Sequence, residues 1–222
     1  MAKLEIHHLY SLVDSKFRVG RMTLFARRLG VSEATSVLDL GGDAATWGSA
    51  GHQKRVTLLN LNPRSLHGHP SSVIGDALEV PFSDQAFDVV FSNSMIEHLG
   101  SKERQRIFAA EVRRLSKTGY FVQTPNKWFP IEPHYLAPLV QFVPRSIRPT
   151  VIRWATLRGW LTKPSPRRCV ELCREIRLLD AREMSELFPE AKIVRERFFG
   201  MTKSLIAIWQ SPDRDRSSGG QY

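Results

Sequence analysis

Five stretches of the sequence place small, acidic, amide or hydroxyl residues directly after a short apolar run: Asp39-Leu40-Gly41-Gly42-Asp43, Asn60-Leu61-Asn62-Pro63, Gly75-Asp76-Ala77, Ser92-Asn93-Ser94 and Thr124-Pro125-Asn126. Glycine lets a ligand approach the backbone, while carboxylates and amides can bond ribose hydroxyls and an exocyclic amine. Such a rim suits a nucleoside-bearing cofactor. The first loop is not a G-x-G-x-x-G phosphate cradle, because the second and third glycines of that motif are missing from GGDAAT, and Asp43 would repel a pyrophosphate. A ligand with a cationic centre and an ammonium group fits better than a dinucleotide. Taken alone, the loop also reads as a plain strand-to-helix turn.

Other chemistry-bearing residues form weaker patterns. The pairs His7-His8 and His67-x-His69 have no clustered Cys or carboxylate beside them, so no metal site is expected. His98, in Ile96-Glu97-His98-Leu99, opens a helical stretch and can bond local backbone there. Cys169 and Cys173 are four apart, on one helical face and not in a C-x-x-C pattern, and read as ordinary thiols.

The elements that must hold these loops follow from periodicity. Leu9, Leu12, Val13, Phe17, Met22, Phe25, Ala26 and Leu29 are spaced as on helices and end at Gly30, predicting one or two N-terminal helices in residues 1–30. Strands are expected over 36–40, 55–61, around Val73-Ile74, over 87–92 and over 120–124, with a helix over 102–115. Strands alternating with helices indicate βαβ units and a mostly parallel sheet covered on both faces. Ligands of such sheets bind beyond the carboxyl ends of the strands, where the five loops fall. After Pro125 the texture changes: eight prolines between 125 and 166, together with Trp128, Phe129, Trp154 and Trp160, predict an inserted cap of short helices over 127–178. These aromatics could line an acceptor pocket or form the core of the insertion. A helix over 181–188 and two strands over 192–198 and 204–209, an antiparallel pair at the sheet edge, complete one domain over 1–210. The polar tail 211–222 is expected to be disordered.

The chain has 222 residues, with 42% hydrophobic and 24% charged residues, which excludes wholesale disorder. No apolar run reaches the roughly 18 residues of a membrane span, and the N-terminus lacks a signal-peptide core, so a cytoplasmic protein is expected. The formal net charge is +10 and the pI near 10.1, the footprint of nucleic-acid or anionic-surface binders. That charge is local. Residues 1–110 carry 12 Lys plus Arg against 11 Asp plus Glu, whereas 145–177 carry nine against Glu171 and Glu175 alone.

The blocks VLDLGGD, LLNLNP, GDALEVPFSDQAFDVVFSNSMIEHL and EVRRLSKTGYFVQTPN, in that order, resemble the class I S-adenosylmethionine-dependent methyltransferases, of the bacterial type 11-like kind. The resemblance spans about Val37 to Asn126. TPNKWFPIEPHYLAPLVQFVP and FGMTKSLIAI further resemble bacterial members found among sugar and polysaccharide biosynthesis functions. The resemblance implies a Rossmann-like α/β fold: a seven-stranded, mostly parallel sheet with helices on both faces and an antiparallel edge strand, here with the helical insertion after strand five. It implies one bound S-adenosyl-L-methionine, with Asp39 and the Gly41-Gly42 backbone beside its methionine part. Asn60 falls where the family usually has an acid bonding both ribose hydroxyls, Asp76 and Ala77 fall beside the adenine, and Ser92-Asn93 line the reaction centre. Asp43 and Ala45 replace the usual glycines of the first loop, and Asn60 replaces the ribose acid.

Methyl transfer from a sulfonium is an in-line displacement, so the protein mainly holds nucleophile, methyl and sulfur in line in a dry pocket. A base is needed only for a hydroxyl or protonated-amine acceptor. His134, in PNKWFPIEPHY near Glu132 and Tyr135, is the candidate, the alternative being that it packs the insertion. The expected acceptor is a small molecule or a saccharide- or lipid-linked intermediate, anionic if the basic cap grips it, and the cap could rest on an anionic membrane surface at the inner face. Two further readings remain open: an RNA-directed enzyme or nucleic-acid binder using the cap, although SNSM replaces the proline-bearing loop of nucleobase amino methyltransferases, and an inactive homologue, suggested by Asn60, Asp43 and Ala45. No heptad or long apolar face calls for an obligate oligomer.

Overall fold

The computed structural model describes residues 17–48, 55–132, 135 and 137–212. Residues 17–29 form helix α1, ended by Gly30 at a φ of +55°, a left-handed position that favours glycine. Of the expected N-terminal helices, the part over 1–16 lies outside the described residues, as does 213–222 of the expected tail.

Seven strands form one sheet. They are β1 (Val37–Leu40), β2 (Val56–Asn60), β3 (Ser72–Ile74), β4 (Phe87–Asn93), β5 (Ser116–Pro125), β8 (Lys192–Phe198) and β9 (Met201–Gln210), in the order β3-β2-β1-β4-β5-β9-β8. β3 to β5 across the first five positions are parallel neighbours, and β9 pairs antiparallel with both β5 and β8. The reversed strand is therefore β9, one place in from the edge strand β8. β1 is buried along its whole length, which is why VLDL carries apolar residues at both alternations, broken only by the buried Asp39. β5 begins four residues earlier than expected, because Ser116 to Gly119 pair with β4 despite having no apolar pattern.

Side chains alternate between two packed faces. Leu38, Leu40, Val90 and Val122 pack on one face with Phe108 and Val112 of α3 (Lys102–Leu115) and Met184 of α7 (Ala181–Leu187). Val37, Val89, Phe91 and Phe121 pack on the other with Phe25 and Leu29 of α1 and Trp47 of α2 (Ala44–Gly48). By that alternation Asp39, Asn93 and Gln123 point to the α1/α2 face. α3 starts where Ser101 accepts the Arg104 N–H at 3.2 Å, and α7 where Asp180 and Glu183 form a reciprocal capping box.

The insertion after β5 holds α4 (Arg148–Ala155), α5 (Leu157–Thr162) and α6 (Pro166–Glu175), and also two short antiparallel strands that helices alone did not anticipate, β6 (Ile131–Glu132) and β7 (Ala137–Pro138). Its core is Tyr135, Ala137, Val140, Ile152, Cys169 and Leu172. The tryptophans do not form it: Trp128, Trp154 and Trp160 are 62%, 65% and 72% exposed, and only Phe129 of the four aromatics is buried. A Cβ on Gly159 would lie 2.1 Å from the Ile152 carbonyl, so α4 and α5 meet in close backbone contact at that glycine. Among the described residues no helix is long and apolar enough to cross a membrane.

Candidate functional site

The site is assembled where β1, β2, β4 and β5 end. Gly41 takes a φ of +81° and donates its N–H to the Leu59 carbonyl at 2.8 Å, tying the first loop to β2. A Cβ on Gly41 would sit 2.6 Å from Cγ of Met95, and one on Gly42 2.9 Å from Cγ and Oδ2 of Asp39. Both glycines are thus required by close approach, one to the loop after β4 and one to the carboxylate at the centre of β1. Asp43 is exposed and its Oδ1 accepts the Ala45 N–H at 2.8 Å, so it turns the chain into α2.

Asp39 is 3% exposed, and its Oδ2 accepts the Trp47 indole N–H at 2.8 Å. Burial pushes its carboxyl up to about 7, against the opposing effect of the indole donor, and the nearby Asp43 charge adds to the rise. Asn60 donates from Nδ2 to the Gly42 carbonyl at 2.8 Å and accepts the Asn62 N–H on Oδ1 at 2.9 Å. Its amide therefore latches the glycine loop to the end of β2, a job that a carboxylate could not do. Asp76 is half-buried, with Oδ1 accepting the Leu78 N–H at 3.0 Å, and Ala77 beside it is buried.

Ser92 lies inside β4, fully buried, and its hydroxyl donates to the Leu40 carbonyl at 2.9 Å, so its side chain joins two strands instead of lining a loop. Asn93 ends β4, and its Oδ1 accepts from Nη1 of Arg21 at 3.1 Å. The structure thus gathers Asp39, Gly41, Gly42, Asn60 and Asn93 at neighbouring strand ends, with Asp76 and Ala77 beyond β3. His134 lies outside the described residues. His98 is exposed on the short turn Ile96–Leu99, whose Glu97 is buried and accepts the Thr124 hydroxyl at 3.0 Å. Among the described residues no group of three or more His, Cys, Asp and Glu could hold a metal ion.

Sequence reasoning missed Trp47, Arg21 and Gln123. Arg21 is 5% exposed and joins α1 to Glu196 of β8, with Nη2 to Oε2 at 2.8 Å. Its signal was available: Phe17, Arg21, Phe25 and Leu29 recur every four residues, which sets the arginine within the buried stripe. Gln123 is 1% exposed and registers with Asn93 across β4 and β5. Its Oε1 accepts the hydroxyl of Ser94, a residue at φ +56°, while its Nε2 has no partner among the described residues. No sequence pattern marks it.

Residues 38–123 match the family model of a methyltransferase domain. A curated protein of Encephalitozoon cuniculi (strain GB-M1), named only provisionally as a methyltransferase, is 41% identical over 59 residues, 27% of this chain. The match spans about a quarter (28%) of the length of that relative. Among solved structures, the N-methyltransferase NodS from Bradyrhizobium japonicum WM9 aligns with a TM-score of 0.53 at 18% identity, over 90% of this chain and 98% of that one. A second NodS structure, in complex with S-adenosyl-L-homocysteine, aligns with a TM-score of 0.53 at 16% identity over 88% and 87%. A chain of the complex between the Haloferax volcanii Trm112 methyltransferase activator and a protein named only provisionally as a methyltransferase aligns with a TM-score of 0.51 at 14% identity over 86% and 89%.

Proposed function

We propose that this chain is a class I S-adenosylmethionine-dependent methyltransferase that methylates a small-molecule or a saccharide- or lipid-linked acceptor, a reading that the matched methyltransferase domain and the fold support. The observation that carries the reading is the Gly41-Gly42 turn packed against the buried Asp39. The turn brings the Gly41-Gly42 backbone against the end of β1, and Asp39 is an acid that the protein leaves without a cationic partner among the groups shifting its titration. Those features fit S-adenosylmethionine, whose methionine end carries an ammonium group. Bound there, the cofactor supplies a sulfonium methyl for in-line displacement.

The chain's own residues hold and enclose. Asp39 faces the cationic end, Asn60 keeps the glycine turn against β2, and Asp76 with Ala77 receives the adenine. Arg21 fixes α1 over Asn93, closing the α1/α2 side of the strand ends against water. His134 is the proposed base where the acceptor is a hydroxyl or a protonated amine, and His134→Ala with full turnover on the true acceptor would remove it from that role. Calorimetric titration with S-adenosylmethionine tests the reading as a whole: binding is expected, weakened tenfold or more in Asp76→Ala, and absence of binding in the parent chain would end it.

The exposed Trp154 and Trp160 favour an acceptor held at a lipid surface. Trp160 donates its indole N–H to the Trp154 carbonyl at 2.8 Å, and the Arg153 guanidinium lies 5.1 Å from the Trp154 ring, so aromatic and cationic groups share one outer face of the cap.

A further inference from the structure

Where the chain leaves β5 for the cap, a cleft of about 210 Å³ opens, lined by Lys127, Arg145, Arg148, Arg177, Tyr135 and Gln141 among others. No described lining residue is acidic. Arg177 pairs with Glu183 and donates to Gln105, which compensates one charge. Arg148 is held differently: Nε and Nη2 donate to the Val143 carbonyl at 3.0 and 2.7 Å, and Nη2 also to the Gln141 carbonyl at 2.9 Å. Carbonyls orient a guanidinium without neutralising it. Lys127 stacks by its ammonium on Trp128, 5.5 Å from the ring centroid, and neither Lys127 nor Arg145 has an acidic partner among the described residues. Three uncompensated cations on one small cleft repel one another unless an anion sits between them.

A second observation comes from Gln141. Its Nε2 donates to the Phe129 carbonyl at 2.8 Å, which fixes the amide's orientation, and its buried Oε1 has no donor among the described residues. A buried acceptor beside fixed cations matches a ligand that carries both an anion and a hydroxyl. The cleft is also tied to the strand ends. The Lys127 N–H donates to the Leu179 carbonyl at 2.9 Å, and the Arg177 N–H donates to the Glu97 carbonyl at 2.8 Å, two residues beyond Met95, which packs on Gly41.

We propose that this cleft seats the phosphoryl end of the acceptor, a phosphate or diphosphate ester with a hydroxyl next to it. The acceptor's role rests on the methyl-transfer reading, whereas anion binding by the cleft does not. Calorimetric titration of the full chain with inorganic pyrophosphate at low salt is expected to show saturable binding that weakens as salt rises. Arg145→Gln and Lys127→Gln, which remove no described structural bond of their side chains to an acid or carbonyl, should each weaken it tenfold or more while leaving S-adenosylmethionine binding intact. Arg148→Lys keeps a charge but loses the fork and should fall between the parent and those variants. Pyrophosphate binding that is absent, or indifferent to all three substitutions, overturns the proposal. Binding of pyrophosphate without binding of S-adenosylmethionine keeps the cleft and removes the methyltransferase reading. Vesicles of phosphatidylglycerol against phosphatidylcholine separate the two sources of phosphate: retention released by pyrophosphate places a lipid phosphate in the cleft, and retention on vesicles with no pyrophosphate binding in solution overturns it.

Discussion

The indole N–H of Trp47 reaches 2.8 Å to Oδ2 of Asp39, and this fully buried pair lies against the Gly42 backbone. The bond is the protein's own contribution to keeping a carboxylate at the centre of β1. Trp47→Phe preserves most of the apolar volume packed on Phe25 and Phe91 but removes the donor. A loss of about 1–3 kcal/mol in unfolding free energy is expected for the unmatched acceptor. The Asp39 titration should move further up, because the indole is what holds it down. Urea melts and a carboxyl titration by NMR measure the two effects, and an unmoved titration would show the bond to be idle.

The pH dependence of the same group has a fixed sign. Its carboxyl titrates near 7 in the folded chain against an ordinary 3.8, so between those values the folded state holds a proton that unfolding releases. The contribution of Asp39 to stability is therefore complete below the ordinary value and is lost as pH rises through about 7. A cationic ligand beside the carboxylate favours the charged form, so S-adenosylmethionine should bind more tightly as pH rises from 6 to 8 and should release a proton on binding. Calorimetry in two buffers of different ionisation enthalpy reads that proton. Asp39→Asn should abolish both the release and the slope.

The strands carrying these loops were legible because burial on both faces writes short runs rich in apolar residues, broken only by Asp39 in VLDL and Asp88 in FDVVF, and α3 was legible as the helical stretch that follows them. Asp39, Gly41, Gly42, Asn60 and Asp76 could be placed at strand ends because each follows or closes a short apolar run, and strand ends are where such sheets bind ligands. Ser92 shows the limit: one residue decides whether a side chain is inside a strand or in its loop, and strand ends are uncertain by about that much. The exposed tryptophans were not legible, since residue type and a proline-rich context do not reveal which aromatics of the cap its small core encloses. Gln123 and Arg21 depend on partners in other elements, Arg21 on one 175 positions away, and local patterns carry no register between them.

Asn60 offers a direct contrast between a ribose ligand and a loop latch. Asn60→Asp keeps the acceptor for the Asn62 N–H but turns an oxygen toward the Gly42 carbonyl, where Nδ2 now donates at 2.8 Å. The ligand-free chain should lose about 1–3 kcal/mol of stability, since one buried acceptor loses its donor and faces a like dipole. Urea unfolding without cofactor checks this, and an unchanged midpoint would mean that Gly42 is held by the fold around it and not by the amide.

The Arg21 to Glu196 pair allows the cost of a broken charge to be separated from the worth of the contact. Arg21 donates to Glu196 through Nε at 3.0 Å and Nη2 at 2.8 Å, to Asn93 at 3.1 Å, and to Ser204 at 3.4 Å, with the paired side chains 5% and 13% exposed. Arg21→Met leaves Glu196 buried without its partner, and removing one member of such a pair typically costs about 3–5 kcal/mol. Arg21→Met combined with Glu196→Met replaces the pair by apolar groups of similar length, and should recover most of that loss, because desolvating two charges offsets much of their attraction. Cofactor affinity should behave differently. Both variants lose the donor to Asn93, so both should bind S-adenosylmethionine more weakly to a similar degree, whatever their stability. Melts and titrations on the two proteins decide it: if affinity recovers together with stability, the arginine serves only to dock α1, and Asn93 does not depend on it.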